Sequence, residues 1–413
     1  MLKLKTIYQF SFLLIFVLIF LLGGSLQFFL GVSNTGLTLA LCLIMLSNYA
    51  LYVLIRGKIV FDKVVGFAFL YSIVIIISGV INHSTLFHIV LYNIFSVLPL
   101  SCYLFFKMNK NENYIQKRTV NKLVLYVAII QLPILLIQRN FYDILIHFNN
   151  SGQQIASFDF LFGSFFLKSD HSLGLYLFLV IASLYFNINN IRQSTKYTFL
   201  LIVYLSITLL LAESNISKGL LFLFYGIIIS MNLYKAITRN RIVRKIMIGF
   251  IVVLGALFIY NIRNIELITS RLGGTLERNF TAEKSLHFFN LGTAKREQIV
   301  IAAIHVLDTK YIGDGPYSYF DISTGKFKNT IHFTQLIWTY FDLGLIGLFV
   351  VILYMYFIIK TLNINNRQGF YAVCILALIY MFYTTPFSEI GIIFSLILFF
   401  NFYKDERNYN SIS

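Results

Sequence analysis

Charge is what this sequence has least of. Only 12 % of its 413 residues are Asp, Glu, Lys or Arg, where an ordinary soluble domain has about a quarter. A globule facing water needs polar surface, and a chain that is 58 % hydrophobic does not supply it, so a soluble fold is excluded. Cysteine is also scarce. Cys42, Cys102 and Cys374 lie far apart in apolar blocks with no Cys-x-x-Cys pair; they read as small buried hydrophobes and say nothing about compartment. Common catalytic and cofactor motifs are missing. The sequence has no Gly-x-x-x-x-Gly-Lys-Ser/Thr loop and no Gly-x-Gly-x-x-Gly after a strand, so no nucleotide site is expected. It has no His-Glu-x-x-His, no metal-ligand spacing among its seven histidines, and no Asp-x-Asp pair. An enzyme built from this chain is expected to work without nucleotide, cofactor or metal. That points to a donor carrying its own leaving group, such as a lipid pyrophosphate.

What is present is apolar sequence in blocks of roughly 17 to 25 residues, the length that crosses a hydrocarbon core of about 30 Å. Backbone groups in lipid must bond within their own segment, and blocks of this length are too long for barrel strands. The expected fold class is therefore an all-α polytopic membrane protein. Twelve spans are expected, at 6–23, 36–55, 60–80, 86–106, 121–138, 171–187, 196–212, 219–234, 246–262, 333–359, 369–384 and 388–403. The first follows Lys3 and Lys5 without a small-residue cleavage site and reads as a retained span.

The formal charge of +16 sits in short loops rather than in a patch interleaved with aromatics, which argues against nucleic acid as a partner. Basic residues fall at the N-terminus and in 56–63, 107–122, 192–196, 235–245, 360–367 and 404–407, all on one side of the twelve-span arrangement. Loops on the other side, around 23–35, 82–85 and 384–388, carry almost none. The positive-inside rule then places both termini in the cytoplasm.

Two longer loops fall outside, 139–170 and 263–332. The second is long enough to be functional rather than a connector, and a short amphipathic helix is expected within it, from Thr293 to Leu307. The chain is thus divided into nine spans over residues 1–262, a large extracytoplasmic loop over 263–332, and three spans with a cytoplasmic tail over 333–413. The halves show no sequence repeat.

Unusual residues gather between Glu213 and Gly347. Glu213-Ser214-Asn215-Ile216-Ser217-Lys218-Gly219 forms the outer turn between the seventh and eighth spans. Lys218 there is either a solvated, snorkelling lysine or a cation lining an outer cavity. With Arg263, Arg271, Arg278 and Arg296 of the long loop it suits a pyrophosphate, because guanidinium forks bind phosphate oxygens bidentately and lysine adds a point charge. Arg139 and His171 border the other outer loop. His332 is either an interfacial residue at the end of a span or a base at a membrane-surface site. On a helix, His332, Gln335, Thr339 and Asp342 share one side, with Gly344 and Gly347 on the other, where a neighbouring helix can approach. A carboxylate such as Asp342 inside a span faces a partner or a wet cavity.

These features resemble the O-antigen polymerase and O-antigen ligase superfamily, whose members have about ten to fourteen spans and one large late extracytoplasmic loop. Glu213 to Gly219 is similar to the family's Thr-Gly-Ser-Arg-Gly turn, with Lys218 where Arg is usual. Arg296 with the apolar segment after it, then Gly313-Asp314-Gly315, resembles the family's Arg-containing helix leading to a Gly-x-Gly turn. His332 to Gly347 resembles its His-Asn-x-x-Leu segment followed by Glu-x-Gly-x-x-Gly, with Phe333 for Asn and Asp342 for Glu. The topology likeness covers the whole chain, and the motif likeness covers residues 213–347.

The resemblance implies a metal-independent glycosyltransferase of the bacterial plasma membrane. A polymerase of surface polysaccharide, O-antigen or capsule, passes a glycan from undecaprenyl pyrophosphate to a sugar hydroxyl of another lipid-linked repeat unit. Arg296, Arg271 and Lys218 would stabilise the leaving pyrophosphate, and His332 would orient or deprotonate the hydroxyl. Arg263, Arg278, Arg139 and Asp342 would complete the substrate site, with Tyr317, Tyr319 and Phe320 as sugar-stacking or packing aromatics. Implied partners are the lipid-linked oligosaccharide, membrane lipid, a chain-length regulator and a flippase. An O-antigen ligase shares this chemistry. A lipid-linked oligosaccharide flippase is the alternative of another class, although such a transporter is expected to show two similar halves.

Overall fold

A computed structural model describes residues 4–155, 157, 160–167, 170–187, 195–212, 214–239, 311–319, 334–362, 364 and 367–402. Every regular element among them is helical. The helices are α1 (Leu4–Val17), continued by a π-helical turn (Leu18–Leu22) into α2 (Gly23–Leu30), then α3 (Asn34–Arg56), α4 (Lys63–Ile81), α5 (Leu86–Glu112), α6 (Lys117–Asn140) and the short α7 (Tyr142–Leu145). They are followed by α8 (Asp170–Asn187), α9 (Thr195–Leu211), α10 (Asn215–Arg239), α11 (Gln335–Thr361), α12 (Arg367–Tyr383) and α13 (Ile390–Phe402).

Six of the described helical stretches are long and apolar enough to cross a membrane: Leu4–Leu30, Asn34–Arg56, Lys63–Ile81, Leu86–Glu112, Lys117–Asn140 and Gln335–Thr361. Five shorter apolar helices coincide with the segments expected at 171–187, 196–212, 219–234, 369–384 and 388–403. The segment expected at 246–262, the helix expected from Thr293 to Leu307, and the loop 263–332 apart from 311–319 lie outside the described residues. Large apolar side chains stand on the surface of the long helices, with Phe69 70 % and Leu43 63 % exposed. Apolar surface on this scale is what a bilayer covers. The protein is a helical membrane protein.

The chain divides into two compact units, residues 1–218 with 309–413, and residues 219–308. In the second unit the described residues, 219–239, form the body of α10. The first unit has two ends. At one, the Lys107 end, Arg56 pairs with Glu112 at 2.8 Å and the Lys110 ammonium donates to the Thr361 carbonyl. The Asp62 carboxylate there caps α4 and accepts from the Tyr103 hydroxyl. At the other, the Asn82 end, Ser33, Thr85 and Thr334 cap α3, α5 and α11 by accepting from Gly36, His88 and Ile337 N–H, as short oxygen-bearing side chains do at helix starts.

The first span does not stop at residue 23. Gly23-Gly24 reads as a helix breaker in sequence, yet the helix runs on to Leu30 and ends on Gly31 in the left-handed conformation, φ 68°. The glycines serve a close approach instead: a Cβ on Gly24 would lie 2.1 Å from the Phe165 carbonyl oxygen.

That approach reveals what the loop after α6 does. Residues 160–167 turn back into the bundle, where Phe160, Phe162, Phe165 and Leu167 are buried. Irregular backbone in an apolar environment needs partners for its polar groups, and three buried glutamines provide them. Gln138 both donates to the Gly163 carbonyl (2.8 Å) and accepts from its N–H (2.9 Å). Gln131 accepts from Ser164 N–H (3.0 Å) and donates to its hydroxyl oxygen (2.8 Å). Gln27 accepts from Leu167 N–H. The Ser164 hydroxyl donates to the carbonyl of Phe20, inside the π-helical turn. Phe20 in turn packs with Phe16, Phe165, Tyr176 and Phe394, which ties α1, α8 and α13 into one aromatic core.

Candidate functional site

Besides the glutamine contacts of residues 163–167, two clusters of polar groups lie toward the Asn82 end. The first is a break in α11. At Gly344 the backbone leaves the helical region (φ 69°, ψ −163°) and the helix resumes beyond it. Only glycine adopts that conformation readily. The segment 311–316 seats its own backbone in the break. Asp314 N–H donates to the Phe341 carbonyl (2.9 Å), Gly315 N–H to the Asp342 carbonyl (3.0 Å), and Ile346 N–H to the Tyr311 carbonyl (3.2 Å). A Cβ on Gly313 would lie 2.3 Å from the Phe341 carbonyl oxygen, so two backbones meet where no side chain fits. From α4, the Ser78 hydroxyl donates to the Asp342 carbonyl and the Asn82 amide donates to the Gly313 carbonyl, each at 2.8 Å.

Asp342 completes this arrangement. It is fully buried, and its carboxylate accepts from Tyr317 N–H (3.0 Å), the Ser318 hydroxyl (2.9 Å) and Tyr319 N–H (2.8 Å). A buried carboxylate requires such donors. The polar position expected to face a cavity or a partner is thus the anchor of the Gly313-Asp314-Gly315 turn. Gly344, placed in sequence at a helix–helix contact, makes the break. Tyr317 packs on His88, Tyr92 and Trp338, and Tyr319 packs on Phe341. Burial, with the Asp342 charge adding to it, raises both phenols, Tyr319 to about 12, so both rings stay neutral hydrogen-bonding groups.

The second cluster joins the starts of α8, α10 and α13. The His171 Nδ1 lies 3.1 Å from the Ser214 hydroxyl, Ser214 lies 2.7 Å from the Ser217 hydroxyl, and Ser217 lies 2.8 Å from the Tyr380 hydroxyl on α12. Ser214, Ser217 and Tyr380 are fully buried. On the next residue of α8, the Ser172 hydroxyl donates to Glu389 at 3.3 Å, the residue just before α13. Gly174 allows α8 to lie against the first turn of α10, since a Cβ there would be 2.2 Å from the Ser217 oxygen. Helix starts carry unpaired N–H groups and a partial positive charge, and three of them converge here. Lys218 is half-buried in the first turn of α10, its N–H donating to the Ser214 carbonyl.

The two clusters meet across the turn from α12 to α13. Gln335 N–H donates to the Thr384 carbonyl (2.8 Å), and Phe387 N–H donates to the Gln335 side-chain oxygen (3.3 Å). The start of α11 is thereby fixed, and His332 lies three residues before it in sequence.

Of the residues singled out in sequence, Lys218 and Asp342 lie in these two clusters, and His171 joins the Lys218 turn directly. Arg139 is exposed at the last turn of α6 and makes no hydrogen bond to another described residue. Arg263, Arg271, Arg278, Arg296, Phe320 and His332 lie outside the described residues. Sequence reasoning missed Glu389, Ser172 and Tyr380. Glu389 left a signal, an acid closing an otherwise uncharged turn between two apolar segments. Tyr380 left none, being one of 27 tyrosines. Among the described residues no group of three His, Cys, Asp or Glu side chains is placed to hold a metal ion. No family model, no curated protein and no solved structure matches this chain.

Proposed function

We propose that the chain is a glycosyltransferase of the bacterial plasma membrane that polymerises surface polysaccharide, with both termini in the cytoplasm and the Asn82 end facing outward. The donor is a glycan on undecaprenyl pyrophosphate, and the acceptor is a sugar hydroxyl of another lipid-linked repeat unit. The observation that carries this reading is the convergence of the α8, α10 and α13 starts with Lys218 and His171 at one end of a largely apolar bundle. Helix N-termini and a lysine favour a phosphate-bearing group, and a histidine beside them can take part in proton transfer. Arg296 and Arg271 add charge to stabilise the departing pyrophosphate, and His332, carried just ahead of α11, orients or deprotonates the acceptor hydroxyl. The test is the polysaccharide profile of a deletion strain. Loss of long chains with a single repeat unit retained supports a polymerase; unchanged chain length sinks it.

The break in α11 favours a second reading, a flippase for lipid-linked oligosaccharide, because transporters place discontinuous helices around their substrates. Against it, the groups freed by the break are taken up by residues 311–319 and by Ser78. In the flippase case the deletion strain accumulates lipid-linked repeat units on the cytoplasmic face.

A further inference from the structure

Tyr71 on α4 and Tyr92 on α5 each bury a hydroxyl that has no hydrogen-bond partner among the described residues. The two side chains are only 1 % and 4 % exposed. Other enclosed tyrosines differ: Tyr176 donates to the Val124 carbonyl at 2.7 Å, and Tyr8 to the Phe105 carbonyl at 3.1 Å. An unpaired hydroxyl in apolar surroundings is costly, and an ordered water is one of the few things that removes the cost. Tyr71 and Tyr92 are neighbours without meeting in hydrogen-bond geometry, and Thr339, which accepts from the Gln335 amide at 3.2 Å, stands beside both. Both phenols line one small cavity, whose other walls include Gln335, Trp338 and Phe387. About 10 Å³ of it is open to the centre of a water molecule, and one water needs about 10–15 Å³ by that measure. A sugar ring does not fit.

We infer that this cavity is a binding site for one ordered water molecule, which bonds both phenols and so joins α4 to α5 beside the first turns of α11. Each phenol offers one O–H and an accepting oxygen. A water can accept from one and donate to the other, so the pair is satisfied with neither ring moving. Packing holds the rings where they are. Tyr71 lies against Phe387, 6.0 Å between centroids, and Tyr92 lies against Trp338 at 5.4 Å and Tyr317 at 5.6 Å. A buried water with polar partners of this kind is a fixed part of a structure. The site stands whether or not the chain is a polymerase.

The experiment compares wild type, Tyr71→Phe, Tyr92→Phe and the double variant, each as the full chain in lipid nanodiscs. The first readout is side-chain oxidation by X-ray radiolysis, in which hydroxyl radicals form from water where it stands and label adjacent side chains. Tyr71 and Tyr92 of the wild type should label several-fold faster than Tyr176, a buried tyrosine whose hydroxyl is already bonded. Labelling of Phe387, a buried wall of the cavity, should fall in the double variant. The second readout is the thermal unfolding midpoint. A phenol bonded to water loses that bond on becoming Phe, so each single variant should lower the midpoint. The double variant should lower it by less than the sum, because the first substitution already disrupts the bridge. In a dry cavity the hydroxyl is a cost, and its removal would raise the midpoint instead. Raised midpoints in the single variants overturn the proposal. So does wild-type labelling of Tyr71 and Tyr92 as slow as that of Tyr176; coupled, lowered midpoints with such slow labelling would mean that the phenols bond each other directly. The wild-type labelling decides between a wet and a dry cavity even where a variant fails to fold.

Discussion

Asp342 holds Tyr319 in place across 23 residues of sequence: its carboxylate accepts from the Tyr319 N–H at 2.8 Å, and the same group accepts from Tyr317 N–H and the Ser318 hydroxyl. All three donors approach one buried side chain. Asp342→Asn replaces one acceptor oxygen by a donor, which then faces an N–H. We expect a loss of about 1–3 kcal/mol, seen as a lower unfolding midpoint in detergent. Asp342→Ala should cost more, because three donors lose their acceptor. A variant as stable as wild type would show that the turn does not depend on this carboxylate.

Gly344→Ala should be worse tolerated than any alanine placed on the lipid-facing side of α11. The φ of 69° with ψ −163° is essentially a glycine conformation, and the added Cβ would lie 2.5 Å from the Tyr311 carbonyl oxygen. Strain of this kind costs about 1–3 kcal/mol, with the steric clash in addition. The check is the yield of folded protein after detergent extraction, with Phe349→Ala, a 64 % exposed position, as control.

The glutamine brackets around residues 163 and 164 give a local prediction. Gln138→Leu leaves both the N–H and the carbonyl of Gly163 without their side-chain partner, at a cost of about 1–3 kcal/mol for each group. Hydrogen exchange should rise at Gly163 and Ser164 while the α8 amides stay protected. Exchange spread evenly over the bundle would mean that the bracket has no local role.

Two outcomes bear on the proposed reaction. Arg296→Ala and His332→Ala should each abolish long-chain polysaccharide while the protein stays inserted, and normal chain lengths in both would remove these residues from the site. A periplasmic reporter fused near Lys284 should be active, and a cytoplasmic one silent; the reverse pattern would overturn the orientation.

The helical membrane class and the positions of eleven helical segments could be read from the chain, because long apolar blocks admit few other structures in lipid. What local pattern could not reveal were the places where one segment answers another far away. Gly23-Gly24 looks like punctuation until Phe165 is seen against it. Residues 139–170 look like a surface loop because the glutamines that draw their middle inward, Gln27, Gln131 and Gln138, belong to other elements. Gly344 fits a helix face by spacing, and only the backbone of residues 311–315 explains its break. At the second cluster, Lys218 and His171 could be picked out as polar residues at apolar ends, but their union through Ser214 depends on how α8 meets the first turn of α10.

The partners of residues 160–167 also say something about biosynthesis. Phe20, Gln27, Gln131 and Gln138 all precede the segment they hold, so each has left the ribosome before that stretch arrives, and it can dock as it emerges. Residues 311–319 face the opposite situation. Ser78 and Asn82 await them, but Phe341, Asp342 and Gly344 have yet to be made. The glycine turn therefore stays half-assembled until the following helix enters the bilayer, and the maturing chain closes this end of the bundle only at that late moment.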